Sequence, residues 1–231
     1  MSIAENVARI RGEIAEAARA AGRDEKEILL IAATKMNDAD RVREAIEAGV
    51  DICGENRVQE MLEKNAQNAY EGAPLHFIGH LQKNKVKHVV GLAELIHGVD
   101  SLELLAVIDR TAAAKGIVQD VLLEVNIGGE ESKSGFEPAK ISDALEAAAA
   151  FSSVRVRGLM TIPPICENSA EIMTYFDRMR QLFVDNGRKK YDNVFMDFLS
   201  MGMSADYREA ISCGANMVRV GTAIFGRRIY K

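Results

Sequence analysis

Lys35 is well placed to act as a reactive amine. It closes the apolar run Ile28–Thr34, at the point where the sequence changes from a strand-like to a helix-like pattern. In proteins built from repeated strand–helix units, the carboxyl ends of the strands carry the ligand-binding side chains, and an ammonium shielded from water there loses its proton more easily than in solution. A lysine at the end of a strand is also commonly just solvated, so this position alone leaves both interpretations open.

A candidate phosphate site follows the last two apolar runs. In closed strand–helix barrels, the loops after strands seven and eight commonly bind phosphate through backbone amides and hydroxyls. Glycine lets the backbone approach closely, and helices that begin near Ser204 and Thr222 would direct amide groups at a dianion. Serine and glycine are also ordinary helix caps, so each residue taken singly supports both interpretations. The predicted phosphate site comprises Ser200, Ser204, Gly221 and Thr222.

Arg219 lies inside the last apolar run, between Val218 and Val220. An unpaired guanidinium is costly to bury, so we expect this side chain to face a polar mouth and an acceptor there. A reactive lysine, a phosphate site and an arginine that reaches an aromatic nitrogen together indicate a site for pyridoxal 5′-phosphate. Asn56, after the second run, and Met201, in the seventh, are the further predicted cofactor contacts.

Eight short apolar runs alternate with longer amphipathic stretches, which predicts an α/β protein with a single closed TIM barrel of eight strand–helix units. An open doubly wound sheet is the structural alternative, but it normally has fewer strands, and no Gly-x-Gly-x-x-Gly opens a helix here. The predicted strands are Ile28–Thr34, Asp51–Gly54, Leu75–Gly79, Leu95–Val99, Asp120–Asn126, Arg157–Ile162, Phe195–Gly202 and Asn216–Gly221.

The amphipathic stretches between the runs predict the helices of the barrel. Before them, Ile3, Val7, Ile10 and Ile14 recur at helical spacing and predict one extra helix at the N-terminus. The predicted helices of the barrel are Ala39–Ala48, Val58–Ala69, Leu102–Ala114, Ile141–Ala150, Ser169–Val184 and Ala205–Ser212.

Composition excludes several classes of protein. The 231 residues carry 29 basic and 34 acidic side chains, and no basic run interleaved with aromatic residues indicates a nucleic-acid surface. Three scattered cysteines indicate neither disulfides nor zinc and suit a reducing cytoplasm, and no segment reads as a secretory signal or membrane span. His76 and His80 flank a predicted strand, so no metal pair is expected. We expect one cytoplasmic domain, residues 1–231, that binds no nucleic acid, membrane or metal.

Six motifs in one order resemble those of a known family. They are Ala33–Lys35, Gly54–Glu60, His76–Lys85, Arg157–Pro164, Leu199–Asp206 and Val218–Gly226. The chain resembles the pyridoxal phosphate homeostasis protein family, also called the YggS or proline synthase co-transcribed family. The resemblance implies a barrel similar to the N-terminal domain of bacterial alanine racemase, with pyridoxal phosphate bound to Lys35 as a Schiff base. One departure is Met36-Asn37-Asp38, where the family commonly has a threonine, a second lysine and a proline.

Three functions follow from these patterns. The resemblance implies a carrier or regulator of the cofactor that supplies apo-enzymes and has no established catalysis. We expect no second domain that would add an acid or base above the cofactor, and we expect a permanently charged Arg219 to weaken the cofactor as an electron sink. Both expectations agree with a carrier. The alternatives are a small racemase-like enzyme with Lys35 as base, and a cofactor-free aldolase that uses Lys35. We expect a monomer, and Lys83-Asn84-Lys85 stays open as a weak phosphate or partner site.

Overall fold

A computed structural model describes residues 1–131 and 133–226, so residue 132 and the last five residues of the predicted domain lie outside the described part. Eight parallel strands follow one another around a closed barrel, and β8 pairs with β1. The predicted TIM barrel is confirmed. The strands are β1 Leu29–Ala33, β2 Ile52–Glu55, β3 Leu75–Phe77, β4 Leu95–Val99, β5 Gln119–Glu124, β6 Val154–Met160, β7 Val194–Met203 and β8 Met217–Val220.

Helices surround this barrel. The first begins with a capping box, in which the Ser2 hydroxyl accepts from the Glu5 amide and the Glu5 carboxylate accepts from the Ser2 amide. The helices are α1 Ile3–Ala20, α2 Ala39–Glu47, α3 Val58–Asn65, α4 Val86–Val89, α5 Leu102–Ala114, α6 Ile141–Ala148, α7 Ser169–Gly187, α8 Tyr207–Ser212 and α9 Thr222–Phe225. α1 is the predicted extra helix before the barrel.

The apolar core has two layers, because successive side chains of a strand point to opposite faces of the sheet. The larger layer packs the strands against the helices, and Leu30, Phe77 and Phe176 belong to it. The smaller layer fills the barrel. Its buried members are Ile31, Ile52, Ile78, Leu95, Leu122, Met160 and Met217. The barrel is therefore a packed core below its mouth, and ligand-binding groups must come from the strand ends.

Several element boundaries differ from their predictions. β6 begins at Val154 rather than Arg157 because Arg155 and Arg157, which break the apolar pattern, are paired with Asp120 of β5 at 2.7 and 2.8 Å. β5 ends at Glu124 rather than Asn126. α3 ends at Asn65 rather than Ala69, close to Asn68, whose φ of 53° is left-handed. The four-residue α4 was not predicted, since it is too short to show a helical period.

Candidate cofactor site at the carboxyl ends of the strands

Lys35 follows β1 and is half-buried at the barrel mouth. The backbone on both sides of it is held by α3. On one side, the Thr34 carbonyl accepts a hydrogen bond of 2.8 Å from Lys64 Nζ. On the other, the Met36 amide donates to Glu60 Oε2 at 2.6 Å, and Met36 has a left-handed φ of 60°. These bonds fix the position from which the lysine side chain starts.

A buried polar cluster stands behind the Lys35 loop. Glu55 is fully buried, and its Oε1 accepts from Thr34 Oγ1 at 2.6 Å, from Tyr70 OH at 3.1 Å and from Lys64 Nζ. Burial and the neighbouring Glu55 raise the pKa of the Tyr70 hydroxyl, so that group remains a donor. Lys64, only 6% exposed, therefore joins the Glu55 carboxylate to the Thr34 carbonyl.

Arg219 lies on β8, the strand next to β1, and it is only 4% exposed, although the sequence predicted a side chain that faces the polar mouth. Its Nη1 donates to Ser200 Oγ at 2.5 Å and its Nη2 to the Thr161 carbonyl at 2.8 Å. Burial lowers the pKa of this guanidinium to about 10, while Glu124 and Asp206 oppose the fall. Arg219 is therefore a cation and a donor at neutral pH.

Ser200, a predicted phosphate-site residue, and Met201, a predicted cofactor contact, are both fully buried on β7. Ser200 is fully buried beneath the mouth, and its hydroxyl is shared between Arg219 and His97 Nδ1, the latter at 3.0 Å. Met201 is also fully buried, and it packs in the layer between the strands and the helices. Because Ser200 faces the barrel interior, its neighbour must face outward. Met201 therefore lies on the outer side of the sheet, and its contact with the cofactor stays a prediction.

The other members of the predicted phosphate site do lie together. Ser204 Oγ accepts from the amides of Gly221 and Ala223 at 3.2 and 3.4 Å, which ties the loop after β7 to the start of α9. Thr222, the first residue of α9, is exposed. A Cβ added to Gly221 would lie 3.3 Å from the Cβ of Ala33. The predicted phosphate site thus adjoins β1 at Ala33, two residues before Lys35.

Asn56 follows β2 on the same side of the mouth as Lys35. Its Oδ1 is buried and has no hydrogen-bond partner in the part of the chain that the structure describes. Gly79 fits tightly against it, since an added Cβ there would lie 2.3 Å from the Asn56 carbonyl oxygen. A buried side-chain amide oxygen without a donor, such as Asn56 Oδ1, is uncommon in folded proteins. A donor on a bound ligand would satisfy it.

Two acidic residues that no sequence pattern identified, Asp100 and Glu124, lie at the ends of β4 and β5. Asp100 Oδ2 is 3.1 Å from His80 Nδ1. Burial raises the pKa of the Glu124 carboxyl, Asp100 raises it further, and Arg219 and His80 oppose the rise. Lys35 and these carboxyl groups project from different arcs of the barrel, so a ligand at the mouth would have an amine on one side and acids on another.

Within residues 1–131 and 133–226, no group of three or more His, Cys, Asp or Glu side chains could hold a metal ion. None of the helices in that part has the length and apolar character needed to cross a membrane.

The barrel and its mouth match a known class of domain: the model of the family described as alanine racemase, N-terminal domain, matches residues 5–228. Within that class, a pyridoxal phosphate homeostasis protein of Aquifex aeolicus is 43% identical over 230 residues and covers 100% of both chains. The chain belongs to the pyridoxal phosphate homeostasis protein family, as its motifs predicted.

Solved structures agree with this assignment. PipY of Synechococcus elongatus, determined with PLP bound, is 32% identical, with a TM-score of 0.84 over 97% of this chain and 100% of PipY. Alanine racemase of Clostridium difficile is 16% identical, with a TM-score of 0.69 over 98% of this chain and 58% of the racemase. The racemase therefore shares the fold, while PipY shares both the fold and substantial sequence.

Proposed function

We propose that this protein binds pyridoxal 5′-phosphate at the barrel mouth, holds it and delivers it to apo-enzymes that depend on it. The observation that carries the proposal is the contact between the Gly221 loop and β1, which puts the phosphate-site residues beside the Lys35 loop. The names of the relatives and the PLP-bound PipY structure support the same ligand.

The residues present fit that ligand. Lys35 provides a primary amine, and Ser204, Gly221 and Thr222 provide hydroxyl and backbone groups for a phosphate. Asn56 Oδ1 has no donor among residues 1–131 and 133–226. Among the described residues, two N–H groups of the Arg219 guanidinium donate to protein acceptors, and a guanidinium has five, so donors remain there for a ring nitrogen. When bound, pyridoxal phosphate supplies an aldehyde that a primary amine can hold covalently.

We propose further that the protein is a carrier rather than an enzyme. Arg219 keeps its proton at neutral pH, because its pKa stays at about 10 despite burial. A permanent donor beside the ring nitrogen disfavours protonation of that nitrogen and so weakens the cofactor as an electron sink. The free thiols of Cys53, Cys166 and Cys213 support a reducing, cytoplasmic location.

The Lys35→Met substitution tests the site. We expect the wild-type protein with pyridoxal phosphate to show a visible absorbance band, and borohydride to fix the cofactor mass to the peptide that contains Lys35. Lys35→Met should lose both signals and weaken retention of the cofactor, because the covalent bond is lost. Lys26→Met, an exposed lysine before β1, is the matched control and should behave as wild type. Fixation at another lysine in the wild type would contradict the assignment.

Delivery is tested separately. The loaded protein is mixed with an apo-enzyme that needs pyridoxal phosphate, in the presence of a hydrazine that captures free aldehyde. If the cofactor is handed over, the apo-enzyme gains activity faster from the loaded protein than from the same amount of free cofactor. Equal rates at all hydrazine concentrations would mean simple release and would leave only a storage role.

A further inference from the structure

A chain of hydrogen bonds crosses the barrel interior below Arg219. His76 Nδ1 of β3 lies 3.0 Å from His97 Nε2 of β4, and His97 Nδ1 lies 3.0 Å from Ser200 Oγ of β7. Arg219 Nη1 of β8 donates to the same Ser200 oxygen at 2.5 Å. None of the four side chains is more than 4% exposed. Since β4 and β7 are not neighbours in the sheet, the bond between His97 and Ser200 spans the lumen.

The direction of this chain follows from its donors. Arg219 can only donate, so Ser200 Oγ accepts from it. The Ser200 hydroxyl has one proton, and within the described residues its remaining partner is His97 Nδ1. A buried hydroxyl proton without an acceptor is costly, so Ser200 donates to His97 Nδ1. His97 must then carry its proton on Nε2 and donate to His76 Nδ1, and His76 carries its own on Nε2.

Both imidazoles are neutral at pH 7, which this pattern requires. Burial lowers the pKa of His97 well below its usual value, and His76 and Arg219 lower it further. Burial also lowers the pKa of His76 to about 4, although the negative charge of Asp120 raises it in part. In this series of hydrogen bonds, Ser200 Oγ accepts from the guanidinium, and each following N–H or O–H group donates in the direction away from Arg219.

We propose that Ser200 and His97 are positioning residues for Arg219: their one-way chain of hydrogen bonds holds the guanidinium so that its remaining donors serve the ring nitrogen of the bound cofactor. This inference rests on the proposed function, and it assigns a role to buried residues that lie below the mouth. The Thr161 carbonyl accepts from Arg219 Nη2 at 2.8 Å. With that bond alone the guanidinium could still rotate about it, and the bond from Nη1 to Ser200 Oγ prevents this rotation.

The histidine protonation states are tested first, on the protein without cofactor. The chain has only four histidines, so nitrogen-15 NMR can resolve each imidazole, with assignment by single His→Gln substitutions. We expect His76 and His97 to be neutral with the proton on Nε2. A proton on Nδ1 of His97, or a charged His97 at pH 7, would overturn the proposed direction. This measurement does not depend on cofactor binding.

The positioning role is tested by comparing two ligands, pyridoxal phosphate and its 1-deaza analogue, which lacks the ring nitrogen. Ser200→Ala and His97→Leu should weaken retention of pyridoxal phosphate by roughly ten- to a hundredfold, the range for a hydrogen bond to a charged group. Retention of the deaza analogue should not change, because it makes no contact that Arg219 positioning could affect.

Two further variants separate positioning from folding. His97→Gln keeps an acceptor for Ser200 and a donor for His76, so it should retain most of the preference for pyridoxal phosphate. His88→Leu, at an exposed histidine of α4, should leave both ligands unaffected. Equal weakening of both ligands in Ser200→Ala and His97→Leu would overturn the inference. Failure of the wild type to retain pyridoxal phosphate would instead refute the proposed function.

Discussion

The chain on both sides of Lys35 is held by three residues of β2 and α3. Lys64 and Glu55 fix the Thr34 carbonyl and hydroxyl, and Glu60 fixes the Met36 amide. The Lys64 ammonium has both an anion and a carbonyl as partners, which is what a buried charge requires. Placement of Lys35, the proposed reactive amine, therefore depends on a second, buried lysine.

Lys64→Met should be strongly destabilising. It leaves the Glu55 carboxylate buried without its cation, and breaking a buried pair in this way typically costs about 3–5 kcal/mol. Urea unfolding followed by circular dichroism measures the loss. Combining the change with Glu55→Gln removes the stranded charge, so the double variant should be more stable than the sum of the two single losses predicts, by about 1–3 kcal/mol. Strict additivity would show that the pair is not coupled.

Local sequence was enough to predict some residues of the candidate cofactor site and not others. Lys35 and Arg219 were predicted because a charge at the end of an apolar run, or inside one, is visible in a few neighbouring residues. The hydrogen bond between His97 and Ser200 was not predicted, because it joins positions 103 residues apart in the sequence. The packing of Met201 in the outer layer follows from the alternation of strand side chains, which the prediction of a cofactor contact did not take into account.

Among the elements, β6 and β7 are held by an unusually close backbone contact at Gly158. This glycine has a φ of +144°, and a Cβ added to it would lie 1.9 Å from the Phe198 carbonyl oxygen. Gly12, in contrast, lies in the middle of α1 with nothing within 4 Å of an added Cβ. The two glycines therefore predict opposite effects of the same substitution.

Gly158→Ala should lower the free energy of unfolding by more than about 3 kcal/mol, because it adds both a backbone clash and a strained conformation. Gly12→Ala should raise it by about 0.5–1 kcal/mol, because alanine favours a helix more than glycine does. Denaturant midpoints of the two variants provide the comparison. A stable, fully folded Gly158→Ala protein would contradict the close packing of β6 on β7.

The elements themselves were more predictable than their ends. Alternating apolar runs indicate strands wherever both faces are buried, and all eight predicted strands overlap observed ones. The amino end of β6 was missed because Arg155 and Arg157 are paired with Asp120, a partner that no local pattern shows. Tertiary ion pairs of this kind decide where a strand begins.

At the scale of the whole molecule, α1 joins the first and last parts of the described chain. Asn6 Nδ2 donates to the Ile224 carbonyl of α9 at 2.9 Å. Glu13 binds Arg208 at 2.9 Å and accepts from Tyr207, so α1 also holds α8. Burial raises the pKa of the Glu13 carboxyl, but hydrogen bonds from Tyr207, Arg208 and Arg9 outweigh it and lower the pKa to about 2.

That depressed pKa predicts an acid-dependent loss of stability. A carboxyl whose pKa is lower in the folded than in the unfolded protein stabilises the fold above the unfolded pKa, and the contribution disappears as pH falls toward the folded value. For Glu13 the window runs from 4.5 down to about 2. Glu13→Gln should be less stable than wild type at neutral pH and should lose less stability on acidification through this window. Urea midpoints at several pH values test this.

Glu16→Gln is the control for that experiment, because Glu16 is exposed on the same helix. It should follow the wild-type profile. Parallel pH profiles for Glu13→Gln and the wild type would show that the contact between α1 and α8 is not the source of the acid sensitivity.

The pairing of β1 with β8 has a consequence for how the protein is made. Lys35 follows the first strand, while Arg219 lies on the last strand and Gly221 and Thr222 follow it. The two strands are paired from Leu29–Met217 to Ala32–Val220. During translation the amine leaves the ribosome long before its partners do. A nascent chain cannot assemble the site until its eighth strand has emerged, so cofactor capture would report that synthesis of the barrel is finished.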